Sequence, residues 1–174
     1  MPPVITRQTA RILAEKALRG SIDPDIVKWA TELLVEGADS LSLRQLAGLT
    51  EPLNPFEVSE LRDRVLLELG LAGVRRDQAV LLLVRAILVD VQDADSRSVE
   101  RAYSDIDHLF VRNGHMFELT DLSMVHCAKL ELDDGPHQWS WNGASRQNID
   151  RIMREEASRF LREFDNTYHE CRQQ

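Results

Sequence analysis

The stretch QAVLLLVRAILVDV, residues 78–91, decides the fold: ten of its side chains between Val80 and Val91 are aliphatic, and Arg85 and Asp90 alone interrupt them. A segment apolar on every side needs burial on every side. It is too long and too rich in Leu and Ala for a typical strand, so the pattern predicts a central helix over 78–91. At about 2 kcal/mol per buried aliphatic side chain, it is the expected hub of the core. A guanidinium buried there without a partner would cost several kcal/mol, so Arg85 is expected to reach the surface or to meet an acid.

Working outward, amphipathic segments flank the hub on both sides. Thr6 is placed to cap a helix with Ala10, Leu13, Ala14 and Ala17 inward, ended by Gly20. Asp23-Pro24 opens a second helix with Ile26, Ala30 and Leu33 inward and Gly37 at its end. Asp39-Ser40 caps a short third, LSLRQLAGL, and Asn54-Pro55 a fourth, with Val58, Leu61, Val65 and Leu66 at helical spacing. Asp77 is the expected cap of the central helix. Beyond it, Val99, Tyr103, Ile106 and Leu109 share one face of a helix stopped by Asn113-Gly114. A long helix is expected from Ser145 to about Tyr168.

Between His115 and Asn142 the helical period fades. Ala128, Leu130 and Leu132 alternate with Cys127, Lys129 and Glu131, DDGP supplies turn residues, and Trp139 and Trp141 alternate again. A small β-hairpin near 126–141 is the natural expectation. The fold class read from the chain is therefore mainly α: a single-domain bundle, residues 1–174, of about six or seven helices around the central one, with that hairpin added.

The run Trp29-Ala30, Glu36-Gly37-Ala38-Asp39-Ser40, Leu46-Ala47-Gly48-Leu49 and Asn54-Pro55-Phe56-Glu57-Val58 resembles a group of small, uncharacterised bacterial helical proteins. The resemblance covers roughly residues 23–70 and implies a bacterial accessory protein, loosely of the toxin-immunity type. It carries no functional residue over. The same region invites a helix-turn-helix reading. Two prolines, Pro52 and Pro55, in the connector and Glu57 and Glu60 in the next helix oppose it.

Charge narrows the function classes. The chain carries 21 Lys and Arg against 29 Asp and Glu, a net charge of −8, which disfavours nucleic acid and suits a basic protein partner. No apolar run approaches a membrane span of about 20 residues, and no signal peptide is evident. Cys127 and Cys171 read as free thiols, so a cytoplasmic location is expected. Oligomeric state is not legible.

No glycine-rich phosphate loop, nucleophile elbow or cofactor fingerprint is present. His115, His126, Cys127 and His137 match no zinc spacing, so neither a metal nor a cofactor is expected. Two readings remain. In the first, the chain is a non-catalytic binding module, most concretely an immunity-type inhibitor that occludes a basic, nuclease-like toxin. Its surface would use Asp105, Asp107, Glu118, Asp121, Asp133 and Asp134, with Trp139 or Trp141 as anchor. Residues 98–134 hold eight acids against three bases, a segment charge of −5 within the total of −8. In the second, an enzyme or small-ligand protein assembles its site from the scattered groups Asp105, His108, His115 and His126.

Overall fold

The computed structural model describes residues 5–18 and 22–171, with side chains as far as Thr167. Gly20, the expected stop of the first helix, lies outside the described residues, as do the side chains of Tyr168 and Cys171. Among the described residues the chain forms α1 (Arg7–Ala17), α2 (Ile26–Val35), α3 (Leu41–Ala47), α4 (Pro55–Glu68), α5 (Arg76–Val91), α6 (Ser96–Arg112), a 3₁₀ turn (Phe117–Leu119), α7 (Thr120–Asp134) and α8 (Ile149–Cys171), with no strand. The expected class, mainly α, is what forms. Its helices number eight because the expected hairpin near 126–141 is not there: residues 120–134 are α7, and 135–148 are an irregular loop. The buried positions Leu122, Val125, Ala128 and Leu132 recur at helical spacing, and Gly135 with Pro136 ends a helix where a hairpin turn was read.

The fold divides into two compact units, residues 1–83 and 84–174, with the boundary inside α5. In the first, α2 packs on α1 and α3, and α3 on α4. Local signals set the helix ends. The Thr6 hydroxyl accepts the Thr9 N–H, the Ser40 hydroxyl accepts the Leu43 N–H, and the Asn54 side-chain oxygen Oδ1 accepts the Phe56 N–H, with Pro55 at the start of α4. Gly37, at φ +92°, closes α2 with the Ala38 N–H on the Leu33 carbonyl. Asp23 departs from expectation. It is buried two residues before the helix cap, accepts from the Gln8 amide (2.9 Å) and the Asp25 N–H (2.8 Å), and forms an ion pair with Arg11 (3.0 Å), which ties the α1–α2 connection to α1. Beside it, the buried Trp29 indole donates to Thr9 Oγ1 at 3.0 Å, so the largest core side chain leaves no polar atom unmatched.

α5 is continuous over the predicted span but is not buried on every side. Val80, Val84, Leu88 and Val91 are fully buried, Leu81, Leu83 and Ala86 are half-buried, and Val89 is 48% exposed beside exposed Asp90. Asp77 sits inside the first turn. The Gln78 side chain accepts the Arg75 N–H in the capping position.

In the second unit α7 packs against α6 and α8, and the 3₁₀ turn leans on α6 and α7. Arg85 does both things required of it: its guanidinium meets Asp165 of α8 at 2.8 Å, and the pair stays partly exposed, at 36% and 46%. Arg154 of α8 donates to the carbonyls of Val91 (2.8 Å), Gln92 (3.3 Å) and Ala94 (2.6 Å), satisfying acceptors that the end of α5 leaves open. Buried Tyr103 donates its hydroxyl to the Met153 carbonyl, fixing α6 on α8.

Candidate functional site

The acids expected to form one face take up different positions. Asp105 and Asp107 are two residues apart on α6, roughly 200° around the helix. Asp105 is exposed, whereas Asp107 is half-buried against α7 and accepts the Ser123 hydroxyl at 2.5 Å. Glu118 is exposed on the 3₁₀ turn, and Asp134 is exposed at the end of α7. Asp121 pairs with Arg159 of α8 at 2.5 Å, and Asp133 pairs with Lys129 at 2.5 Å. Arg159 also meets Glu156, and Glu163 at 3.5 Å, so it brings a cation into the acidic surface from outside the segment whose charge was counted.

The two tryptophans separate as well. Trp141 is half-buried, and Trp139 is 89% exposed. An exposed indole is usually found on a loose loop, but this loop is tied at several points. One Glu131 carboxylate accepts the Trp139 N–H (2.7 Å), the Ser140 N–H (3.2 Å) and the Ser140 hydroxyl (2.9 Å). These bonds, the Trp139 amide first, hold the Glu131 carboxyl below the usual carboxylate range. The Gln138 side chain accepts the Trp141 N–H (2.9 Å) and donates to the carbonyls of Trp141 (2.6 Å) and Ala144 (3.2 Å). Arg146 donates to the carbonyls of Leu132 (2.7 Å) and Gly135 (3.0 Å), closing the last turn of α7. Glu131, Gln138 and Arg146 are the residues that sequence reading missed. Their role shows only once α7 is a helix and the loop returns over its end.

A stripe of mixed polarity runs along α7 toward the Trp139 loop. Thr120, Met124, Cys127, Glu131 and Asp134 recur at spacings of four and three, which aligns them on the outward face. Met124 is exposed on this stripe, exposed Leu130 stands roughly 120° further round the helix, and exposed Phe117 precedes the stripe on the 3₁₀ turn. A helix of 15 residues is about 22 Å long. The result is a ridge that follows exposed Phe117, with Glu118 and Asp121 at its first end, and finishes at Glu131 and Asp134, where Glu131 holds the Trp139 loop.

Beneath the ridge, α6 and α7 enclose a polar cluster. His126 is 5% exposed, and its Nδ1 lies 4.0 Å from Asp107 Oδ2, with no hydrogen-bond partner. Burial holds the imidazole below its usual proton affinity, against the pull of Asp107 and Glu100. Cys127 shares Asp107 with it: burial, Asp107 and Glu131 push its thiol up, which opposes the thiolate a nucleophile needs. Of the four groups of the alternative site, exposed His108 on α6 acts on His126 through its charge, while Asp105 is exposed on the same helix. His126 turns to Asp107 and not to Asp105, and His115 is exposed at φ +60° with its ring edge-on to Phe110, centroids 4.9 Å apart. Among the described residues no three His, Cys, Asp or Glu side chains are grouped to hold a metal ion. None of the helices is long and apolar enough to cross a membrane.

The first unit offers a cleft of about 490 Å³ between α3 and α4, lined by Arg44, Gln45, Leu49, Glu57, Glu60 and Arg64 among others. Two ion pairs engage its arginines, Arg44 with Asp39 and Arg64 with Glu60. No protein-family model, curated protein or solved structure matches the chain.

Proposed function

We propose that the chain is a non-catalytic protein-binding module that docks a basic partner on the outward ridge of α7. Most concretely, it is an immunity-type inhibitor that occludes a basic toxin, with a nuclease's nucleic-acid groove as the surface the acids imitate. The observation that carries this reading is Trp139, an indole 89% exposed on a loop tied by Glu131, Gln138 and Arg146. A loop backbone already held in place loses little further freedom on binding, and Trp is among the residue types that most often dominate an interface. Exposed Asp134 at the end of α7, with Glu118 and Asp105, supplies the charge that speeds encounter with a cationic surface. Asp121 and Asp133 already have partners and add less.

The test uses the full chain as bait, in parallel with W139A and with the double variant D133N/D134N. A partner captured at low salt is identified, purified and measured by surface plasmon resonance. The expected partner is basic. W139A weakens its binding about 30-fold or more, mainly through faster dissociation, as truncation of a central anchor does. D133N/D134N slows association at low salt and loses that effect as salt rises. A partner whose affinity for W139A is unchanged overturns the reading.

A further inference from the structure

We infer that the contact between α6 and α7 is an acid-sensitive switch, in which His126 takes up a proton and closes onto the Asp107 carboxylate. The geometry is that of a contact left half made. Nδ1 of the buried imidazole has no partner, and the nearest acceptor, Asp107 Oδ2, stands 4.0 Å away, beyond hydrogen-bond reach. The other oxygen of that carboxylate is held by Ser123, one turn before His126 on α7. Asp107 is therefore poised between two groups of the same helix. With His126 neutral it serves Ser123, and with His126 charged an unpaired imidazolium in this site would draw it across.

The charged and titratable groups around His126 act in both directions. On α6, Asp107 and Glu100 stabilise the charged form and His108 opposes it; on α7, Lys129 opposes it. Arg159 of α8 is turned to Asp121, Glu156 and Glu163, and Glu118 of the 3₁₀ turn is exposed. The proton goes to a ring nitrogen and no bond breaks. What moves is the carboxylate, and with it the register of the Ser123 turn against α6. This inference stands apart from the docking reading, since it needs no partner.

The experiment is an NMR titration of the full chain from pH 8 to pH 5, following the histidine rings and the backbone amides, with H126Q assigning the His126 signal. The expected result is a His126 midpoint below 6.5, with the amides of Asp107, Ser123 and Cys127 moving at the same midpoint. In D107N that midpoint falls by roughly a further unit, as loss of a facing charge requires. Should D107N not fold, E100Q gives a smaller fall in the same direction. In H126Q the three amides stay still. The inference is overturned if His126 does not titrate, if its midpoint is indifferent to both substitutions, if the amides move without it in H126Q, or if the whole spectrum collapses to that of unfolded chain at the midpoint.

Discussion

Leu88 and Val89 are neighbours on α5 whose replacement by alanine should have very different consequences. Leu88 is fully buried and Val89 is 48% exposed. Leu88→Ala removes buried carbon and leaves a cavity that the surroundings fill only partly, a loss of about 3 kcal/mol. Val89→Ala removes two carbons that are half in water already. At about 0.8 kcal/mol per fully buried carbon the loss is roughly 0.8 kcal/mol, and alanine's better helix propensity returns about 0.5 kcal/mol of it. The net effect is near zero. In a urea titration followed by circular dichroism, with a slope of about 2 kcal/mol per molar, Leu88→Ala lowers the midpoint by about 1.5 M and Val89→Ala by about 0.2 M or less. Equal shifts would mean that α5 is enclosed on all sides after all. A Leu88→Ala shift under about 0.5 M would mean that its buried arc is not part of a packed core.

Two further outcomes follow from the second unit. Because His126 has its proton affinity lowered by burial, the unfolded chain binds the proton more tightly than the folded one. Its contribution is fully present above pH 6.5 and is lost as the pH falls from there through the lower folded value, so stability declines on acidification in that window. Comparing urea midpoints at pH 7.5 and pH 5.5 for wild type and H126Q checks this; a wild-type slope no steeper than that of H126Q refutes it. Arg85→Met keeps the packed stem and removes the ion pair with Asp165, whose side chains are 36% and 46% exposed. Screened as they are, the pair contributes under about 1 kcal/mol, so the variant should melt within a few degrees of wild type. A loss of about 3 kcal/mol or more would mark the pair as functionally buried.

Most of the helical framework was legible because its signals are local. Thr6, Ser40 and Asn54 stand in capping positions, and the apolar spacing of α4, α6 and α8 matches one face of a helix. α7 was misread for a physical reason. Its exposed Met124 and Leu130 and its buried Ser123 and His126 invert the usual rule at four places, so the amphipathic signal almost cancels and a short alternation at 128–132 stands out instead. The residue types were the better guide. Thr120 and Val125 are its only β-branched residues, while Leu, Ala, Lys and Glu dominate its second half, which favours helix over strand. The over-reading of α5 has the opposite cause. Periodicity cannot locate the open side of a helix whose every face is apolar, and only the neighbouring Arg85 and Asp90 mark where it lies.

The features that inverted the pattern of α7 are also those on which the two functional inferences rest. A helix that exposes Met124 and Leu130 while burying Ser123 and His126 costs stability twice, once for apolar surface left in water and once for polar groups withdrawn from it. A sequence shaped for stability alone would exchange them. Met124 lies on the ridge that leads to Trp139, and Ser123 and His126 lie on either side of Asp107. A charge count along the chain reaches neither arrangement. It weighs Asp107, Asp121 and Asp133 equally with Asp134, although a serine, an arginine of another helix and a lysine one turn away already engage the first three. What distinguishes a carboxylate offered to a partner from one spent inside the fold is the group that faces it, and for Asp107 and Asp121 that group comes from a different helix.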